Sequence, residues 1–210
     1  MREIVRRHER GLTMVELLIA LAILMIAALI GYPALQKTLA RANLEGAAQQ
    51  MMALMRAGRL EAIKRSAPAV VTLDQATGRL MVFIDIHDAG GVAKPDLLYN
   101  PKAGENPANT DYIVGELAMP PRVNLGGPAA QPEIVKDFTD IGAGPRAVFQ
   151  GDGSVKDGGA FRIRDDRQNF LEIKVAPAAT ARIQLRKWHT TDNDWFTRDM
   201  RNGKVLWEWY

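Results

Sequence analysis

The 210-residue sequence contains no cysteine, and histidine and serine are scarce. The lack of cysteine excludes disulfide bonds, thiolate metal sites, iron–sulfur clusters and cysteine nucleophiles. Outside the first eleven residues the histidines are His87 and His189, which do not have the spacing of metal ligands. The two serines, Ser66 and Ser154, do not lie in a G-x-S-x-G nucleophile elbow. We therefore predict that the protein is not an enzyme and uses no cofactor and no metal.

The composition is that of a globular protein, but its charge is unevenly distributed. Hydrophobic residues make up 47% of the chain and charged residues 24%, which excludes a wholly disordered or collagen-like protein. The formal net charge is +3, and four arginines against two glutamates place +2 of it in residues 1–11. The length suits one domain of ordinary size with an appendage.

Residues 12–30 form an apolar run whose only ionisable side chain is Glu16. As a helix the run would be about 28 Å long, enough for the hydrocarbon core of a bilayer. The arginines before it outweigh Lys37 and Arg41 after it, so we expect a cytoplasmic N-terminus and a globular domain on the far side. A cleaved secretory signal fits less well, because the run is long and no small-x-small cleavage site follows it.

The segment RGLTMVELLI at residues 10–19 resembles the class III signal of type IV pilins and type II secretion pseudopilins. The resemblance implies that prepilin peptidase cuts between Gly11 and Leu12 and that Leu12 is N-methylated, although phenylalanine is commoner at this first mature position. It also implies that Glu16, the fifth mature residue, acts in assembly, and it places Pro33 where many pilins have a proline. The implied partners are other minor and major pilins or pseudopilins, the peptidase and the inner membrane.

A carboxylate inside a membrane segment is costly and marks a functional pairing by default. The α-amino group freed at Leu12 of a neighbouring subunit can supply the cation, which would make Glu16 a register device. Because Glu16 lies about one turn inside the run, its side chain could instead reach the lipid headgroups.

Helical periodicity resumes after Pro33 and predicts one helix from residue 12 to about 65, with a weak point at residues 31–33. Residues 12–33 would be its membrane and filament-core half, and residues 34–66 its amphipathic half. The RSAP segment at 65–68 is a plausible stop. We expect Met51, Met52 and Met55 to pack against a sheet rather than to bind a ligand.

From residue 69 the pattern becomes typical of strands and predicts a β-rich domain over residues 67–187. The segments 69–73 and 79–86 indicate a hairpin around a 74–78 turn, and residues 88–110 a long surface loop. Further strands are predicted at 111–117, 122–125, 146–149, 161–164, 170–175 and 182–186. The apolar residues expected to face inward are Phe161, Ile163, Leu171, Ile173, Val175, Ile183 and Leu185. The fold class is therefore α+β, an antiparallel β domain packed on the amphipathic half of the helix.

Two further segments resemble the GspH/FimT branch of the pilin family: LEAIKR at 60–65 and AVFQGDGS at 147–154. With the N-terminal signal, the resemblance covers about residues 10–187. It implies the type IV pilin fold and a low-abundance assembly or tip-complex subunit.

Residues 188–210 depart from that branch and hold all four tryptophans. One interpretation is a turn at Asn202-Gly203 followed by a final strand at 204–210. The other is a short helix capped by Asp192 and ended by Gly203. The aromatic side chains are expected either to complete a sheet or to form a partner contact; they are Trp188, Trp195, Trp207, Trp209, Phe196 and Tyr210.

A basic stretch at residues 162–187 holds seven basic and three acidic residues. Strand alternation places five of the basic residues on one outward face, where a phosphate backbone could lie: Arg162, Arg164, Lys174, Arg182 and Arg186. Some FimT-like minor pilins bind DNA through a Gly-Arg-x-Arg segment, but residues 181–184 (ARIQ) lack the glycine and the second arginine. A solvated strand face is the favoured interpretation. Aspartates 152, 157, 165 and 166 are interpreted as turn residues rather than calcium ligands.

Together these features predict a minor pilin of a type IV pilus priming or tip complex. The alternatives are a minor pseudopilin of a type II secretion system and a DNA-binding minor pilin for DNA uptake. Localisation would be the inner membrane and then the pilus or pseudopilus. Cleavage after Gly11 would leave a mature chain whose side chains sum to +1.

Overall fold

A computed structural model describes residues 13–86, 96–99, 111–140 and 144–197. The chain divides into two compact units, Met1–Leu39 and Ala40–Tyr210, which are described separately below. The described ranges contain one helix, α1 (Met14–Arg65), and ten strands. The strands are β1 Ala69–Asp74, β2 Arg79–Ile84, β3 Tyr112–Ala118, β4 Val123–Leu125, β5 Val135–Lys136, β6 Ala147–Phe149, β7 Gly159–Asp165, β8 Phe170–Val175, β9 Ile183–His189 and β10 Asp194–Thr197.

The first unit consists, in its described part, of the N-terminal half of α1. Every side chain from residue 13 to 39 is exposed except that of Gln36, which is half-buried. The helix is long and apolar enough to cross a membrane, judged by length and composition. Pro33 lies inside it without ending it, although proline removes one backbone hydrogen bond. The predicted helix from 12 to about 65 is thus confirmed over Met14–Arg65.

In the second unit α1 becomes amphipathic. Its buried residues recur at intervals of three and four: Ala40, Leu44, Ala47, Ala48, Met51, Met55, Gly58 and Ala62. Met51 and Met55 are fully buried and Met52 packs against the same core, which confirms the prediction for the methionines. Most of these side chains are small, so the helix can lie close to the strands.

Gly58 marks a close approach between α1 and β2. A Cβ at this position would lie 2.5 Å from Val82 Cγ1, closer than any real contact. The helix ends at Arg65 and is followed by Ser66, which has a φ of 51°; the N–H of Ala67 donates to Ala62 O at 3.2 Å.

All strand pairs are antiparallel, and the strands form two sheets. The order is β3-β2-β1-β6 in one sheet and β10-β9-β8-β7-β4 in the other, where β5 also pairs with β7. The predicted hairpin is confirmed, with Ala69 opposite Ile84 and a turn that closes at Gly78, whose φ is 65°. The second strand ends at Ile84, two residues before the predicted end.

The core combines the apolar stripe of α1 with one face of each sheet. Phe161, Ile163, Leu171, Ile173 and Val175 are buried as predicted. The side chains of Ile183 and Leu185 are only half-buried but pack against this core.

The end of the described chain forms a hairpin at the edge of the second sheet. β9 extends to His189, beyond the predicted end at 186, and β10 pairs with it so that Trp195 lies opposite Trp188. The two indole rings are 5.2 Å apart and form a small cluster with Phe170. The predicted helix after Asp192 is therefore wrong, because residues 194–197 are a strand. The alternative strand at 204–210, with Trp207, Trp209 and Tyr210, lies outside the described residues.

Candidate functional site

The first turn of α1 is closed by a reciprocal pair of hydrogen bonds between Thr13 and Glu16. The N–H of Glu16 donates to Thr13 Oγ1 at 3.3 Å. In return, Glu16 Oε2 accepts from Thr13 N at 3.0 Å and from Thr13 Oγ1 at 3.1 Å. This arrangement is a capping box, and its T-x-x-E signature can be read from the sequence. The carboxylate thus fixes the start of the helix, a role that our sequence reasoning missed.

The capping box leaves half of the carboxylate available. Every hydrogen bond to Glu16 from the described residues ends on Oε2, and none reaches Oε1. A second donor can therefore approach the same side chain without opening the cap. Gly11 and Leu12, the predicted processing site, lie outside the described residues.

Pro33, the other predicted assembly residue, lies on the exposed half of α1. Within the described part of the chain, a Cβ on the nearby Gly31 would meet nothing within 4 Å. This part of the helix surface is therefore free to accept a neighbour.

The basic face predicted from strand alternation is not fully exposed to solvent, because Arg162 is only 1% exposed. Strand register places Arg162 directly opposite Glu172, and Glu172 directly opposite Arg186. Arg162 Nε lies 2.9 Å from Glu172 Oε2, and Arg186 Nη1 lies 3.5 Å from Glu172 Oε1. The interpretation of Arg162 as a solvated outward residue is therefore wrong. Arg186 is also largely covered, with 17% of its side chain exposed.

The burial of Arg162 has a specific cause, a second layer that covers this face of the sheet. Arg162 donates from Nη1 to Gln131 O at 2.9 Å and to Glu133 Oε2 at 3.0 Å, and from Nη2 to Gln131 Oε1 at 2.6 Å. Trp195 Nε1 donates to the same Gln131 Oε1 at 3.0 Å, and the Arg162 guanidinium carbon lies 5.2 Å from the Trp195 ring centre. Every polar end of Arg162 is thus engaged inside the protein.

The network also lowers the pKa of one carboxyl group and attaches β10 to the sheet. A hydrogen bond from its own backbone N–H, and then the bond from Arg162, hold the pKa of Glu133 below its usual range. Arg186 Nη2 also donates to Trp195 O at 3.3 Å, which ties β10 to the charged pair.

The three remaining basic residues of the predicted face do not extend this network into a single surface. The half-buried Arg164 lies over Gly126, and its Nη1 is 3.5 Å from Gln168 Oε1. Lys174 lines a polar cavity of about 190 Å³ with Arg162 and Glu172. Arg182 is exposed and lines a separate groove. The five residues therefore do not form one continuous basic face.

Another buried ionisable side chain lies where the chain leaves β2. Asp85 is fully buried, and its Oδ2 accepts a short hydrogen bond from the N–H of Leu97. Arg146 Nη1 donates to Leu97 O at 2.6 Å, so residues 96–99 are held against the sheet inside the predicted 88–110 loop. Burial, followed by the nearby carboxylates of Asp111 and Asp96, raises the pKa of Asp85 to about 7. No sequence pattern signals this contact, because the partners are far apart in the chain.

Comparison with known proteins gives one sequence match and one structural similarity. The family described as "Prokaryotic N-terminal methylation motif" matches residues 6–32. The minor pseudopilin EpsH from the Type 2 Secretion System of Vibrio cholerae is similar in structure, with a TM-score of 0.41 and 14% identity. That alignment covers 67% of this chain and 95% of the EpsH chain. No curated protein matches the sequence significantly.

Proposed function

We propose that this chain is a minor pilin, a structural subunit of a type IV pilus priming or tip complex. One observation carries the proposal: the methylation motif at residues 6–32 overlaps a helix whose side chains from 13 to 39 are exposed apart from Gln36. In this proposal prepilin peptidase cuts between Gly11 and Leu12, and Leu12 is then methylated.

The exposed apolar helix supports insertion in a membrane followed by packing among neighbouring helices. Its large apolar side chains are so exposed that contact with water would be strongly unfavourable. Leu24, Met25 and Ile30 are 65%, 65% and 73% exposed. A helix satisfies its own backbone groups, so this segment can move from lipid to a bundle of similar helices without losing hydrogen bonds. The arginine-rich leader supports an inner-membrane precursor with a cytoplasmic N-terminus and a periplasmic globular domain.

We assign Glu16 a double role in this assembly. Its Oε2 closes the capping box, and its Oε1 accepts a hydrogen bond from the α-amino group of Leu12 in a neighbouring subunit. A carboxylate left without a partner is costly where water is excluded, so a neighbouring helix that offers the α-amino group in one position would be favoured over other registers in the filament core.

The N-terminus of the cellular protein tests the processing step. Mass spectrometry of the wild-type protein should give N-methylated Leu12 as its first residue, whereas Gly11→Val should keep Met1. Wild-type protein recovered from membranes or filaments with Met1 in place would overturn the proposal.

Two substitutions separate the capping role of Glu16 from its pairing role. Glu16→Gln keeps an oxygen that can accept the Thr13 bonds but removes the charge, and Glu16→Ala removes both. We expect both variants to be lost from sheared filaments, measured by immunoblot against the major subunit. Normal incorporation of Glu16→Gln beside failure of Glu16→Ala would show that capping alone matters.

A gene deletion separates the pilus assignment from the pseudopilus alternative, which shares the same N-terminal signal. Loss of pili with normal protein secretion supports the minor pilin. Loss of secretion with normal pili would instead identify a minor pseudopilin. Membership of the GspH/FimT branch stays a prediction from residues 60–65 and 147–154.

DNA binding is not favoured as the function of the strand face. Two of its five predicted residues, Arg162 and Arg186, are paired with Glu172 and largely buried. We expect no gel shift of duplex DNA by the detergent-solubilised chain at 150 mM salt. A shift that weakens steeply with added salt would reopen this role.

A further inference from the structure

Three arginines converge on an open groove between the C-terminal turns of α1 and the connection from β8 to β9. Arg56 and Arg59 reach the groove from the helix, where a spacing of three places them on one face. Arg182 reaches it from the connection. The groove encloses about 690 Å³, and its other lining residues are Pro177, Thr180, Ala181 and Ile183.

The positive charge of this groove is not compensated inside the described part of the chain. No acidic side chain lines it, and none of the three guanidinium groups forms a salt bridge with a described residue. The polar cavity of about 190 Å³ provides the contrast, because Glu172 there pairs with both Arg162 and Arg186, and Glu133 also pairs with Arg162. Three like charges that converge without a counter-charge repel one another, and an anionic ligand would relieve this repulsion.

Arg59 is held in place for such a ligand. Its Nε donates to Gly153 O at 2.7 Å, and the side chain is half-buried. The bond fixes the stem and the orientation of the guanidinium plane while the two Nη groups stay available. Because the side chain is already ordered, a ligand pays little entropy to engage it.

The side chains that line the groove limit the chemical class of ligand that it can bind. Pro177, Ala181 and Ile183 are apolar, and among the described residues the lining contains no aromatic ring on which a nucleic acid base could stack. The chain as a whole carries only +3, so a long polyanion gains little from its overall field. Carboxylates next to aliphatic side chains fit both parts of the groove, and arginine binds carboxylates in a bidentate manner.

We infer that this groove docks an acidic segment of a neighbouring subunit in the assembled filament. Carboxylates of that segment pair with Arg56, Arg59 and Arg182, and an aliphatic side chain between them lies on Pro177 and Ile183. Arginine clusters recognise acidic segments in this way in other complexes. The inference rests on the proposed function, since it takes the partner to be another pilin.

A binding experiment with the full chain in a neutral detergent tests the chemistry directly. The probes are a fluorescein-labelled six-residue peptide of alternating glutamate and leucine, the same peptide with glutamine for glutamate, and a twelve-residue oligothymidylate. Fluorescence anisotropy should show binding of the acidic peptide, at least tenfold weaker binding of the glutamine peptide, and a decrease with salt. No binding of the acidic peptide, or tighter binding of the oligothymidylate, would overturn the inference.

Matched variants locate the binding. The double variant Arg56→Gln, Arg182→Gln should bind the acidic peptide at least tenfold more weakly and keep the wild-type far-ultraviolet circular dichroism. Arg167→Gln is the control, because Arg167 is exposed and lies outside the groove. Equal affinity of the double variant and the control would show that the peptide binds elsewhere and would overturn the inference.

Filament incorporation in cells separates this inference from the proposed function. Both variants should be cleaved before Leu12, but only the double variant should be depleted from sheared filaments. If the wild-type chain and the double variant are incorporated equally, the inference about the groove is overturned and the proposed function is not. A wild-type chain that is neither cleaved nor incorporated would instead overturn the proposed function, whatever the peptide result.

Discussion

The two halves of α1 use the same secondary structure in different surroundings. From residue 14 to 39 apolar side chains lie on all sides of the helix, and every residue except Gln36 is exposed. From residue 40 to 65 the buried residues form one apolar stripe, which lies in the core of the globular unit, although Leu60 and Ile63 stay exposed. The contrast teaches that apolar content alone does not identify a core helix. A stripe implies a protein core on one side, whereas an apolar surface all round implies lipid or other helices.

The two units also treat charge differently. In residues 13–39 the charged side chains are Glu16 and Lys37, each close to one end of the segment. The globular unit instead buries Arg162 and Glu172, which it can do because they are paired and hydrogen-bonded. Charge is thus excluded from the middle of one unit and enclosed in the other.

The largest expected effect comes from placing a charge in the apolar half. Leu24→Arg puts a guanidinium near the middle of the run, where insertion of arginine costs about 2.5–3.5 kcal/mol. We expect this variant to be lost from the membrane fraction after alkaline extraction. Ala53→Arg is the matched control, since Ala53 is exposed on the second half of the same helix. Retention of Leu24→Arg at the wild-type level would contradict the contrast between the halves.

The second prediction concerns the buried ion pair of Arg162 and Glu172. Glu172→Gln leaves the buried Arg162 without its main counter-charge, so we expect the free energy of unfolding to fall by about 3 kcal/mol. The exposed pair of Arg79 and Glu116, 3.6 Å apart, is the control, and Glu116→Gln should cost less than about 1 kcal/mol. Urea unfolding of the full chain in detergent, followed by tryptophan fluorescence, measures both. Similar losses in the two variants would show that the Arg162 network contributes nothing special.

The sequence predicted the elements with a local signal. Helical periodicity gave α1 to within two residues at its start, and alternation gave the β1–β2 hairpin together with the inward residues of β7 and β8. The T-x-x-E signature of the capping box at Thr13 is also a local signal, whereas the sequence-based hypothesis for Glu16 used only its charge.

The prediction of an exposed basic face was wrong for a reason that strand alternation cannot detect. Alternation correctly places Arg162 on the face away from the main core, but it assumes that this face meets water. Residues 131–133 and β10 cover it, and their contacts span 29 to 64 positions of sequence. A net charge for residues 162–187 treats Glu172 as one acidic residue among several. The strand register places it directly opposite Arg162 and Arg186, and this alignment decides that the three side chains pair.

Asp85 gives an effect on stability that depends on pH and belongs to the globular unit. Because its pKa is raised to about 7, the folded protein holds a proton there that the unfolded chain releases near pH 4. Its contribution to stability is therefore fully present below about pH 4 and is lost as pH rises to about 7, with a slope of at most about 1.4 kcal/mol per pH unit. Asp85→Asn should flatten this slope in urea unfolding between pH 4 and 7.

The charges that face Asp85 make this test specific. Asp111 and Asp96 oppose its ionisation, and Arg146 binds the same loop residue, Leu97. Asp74→Asn is the control, because hydrogen bonds from Thr77 and Ala76 lower the pKa of Asp74 and its contribution is lost in the opposite direction, as pH falls. An unchanged slope in Asp85→Asn would assign the pH dependence to another group.

The smallest effect distinguishes two glycines on the same half of α1. A Cβ at Gly46 would meet nothing within 4 Å, so Gly46→Ala should raise the free energy of unfolding by about 0.5–1 kcal/mol through the lower backbone entropy of the unfolded chain. At Gly58 the same methyl group would lie 2.5 Å from the buried Val82, and overpacking should lower stability by about 1–3 kcal/mol. The opposite signs separate a helix surface that is free from one that is pressed against β2. Stabilisation by both substitutions would show that α1 can shift away from the sheet, and that the small residues on its buried stripe do not set the distance between them.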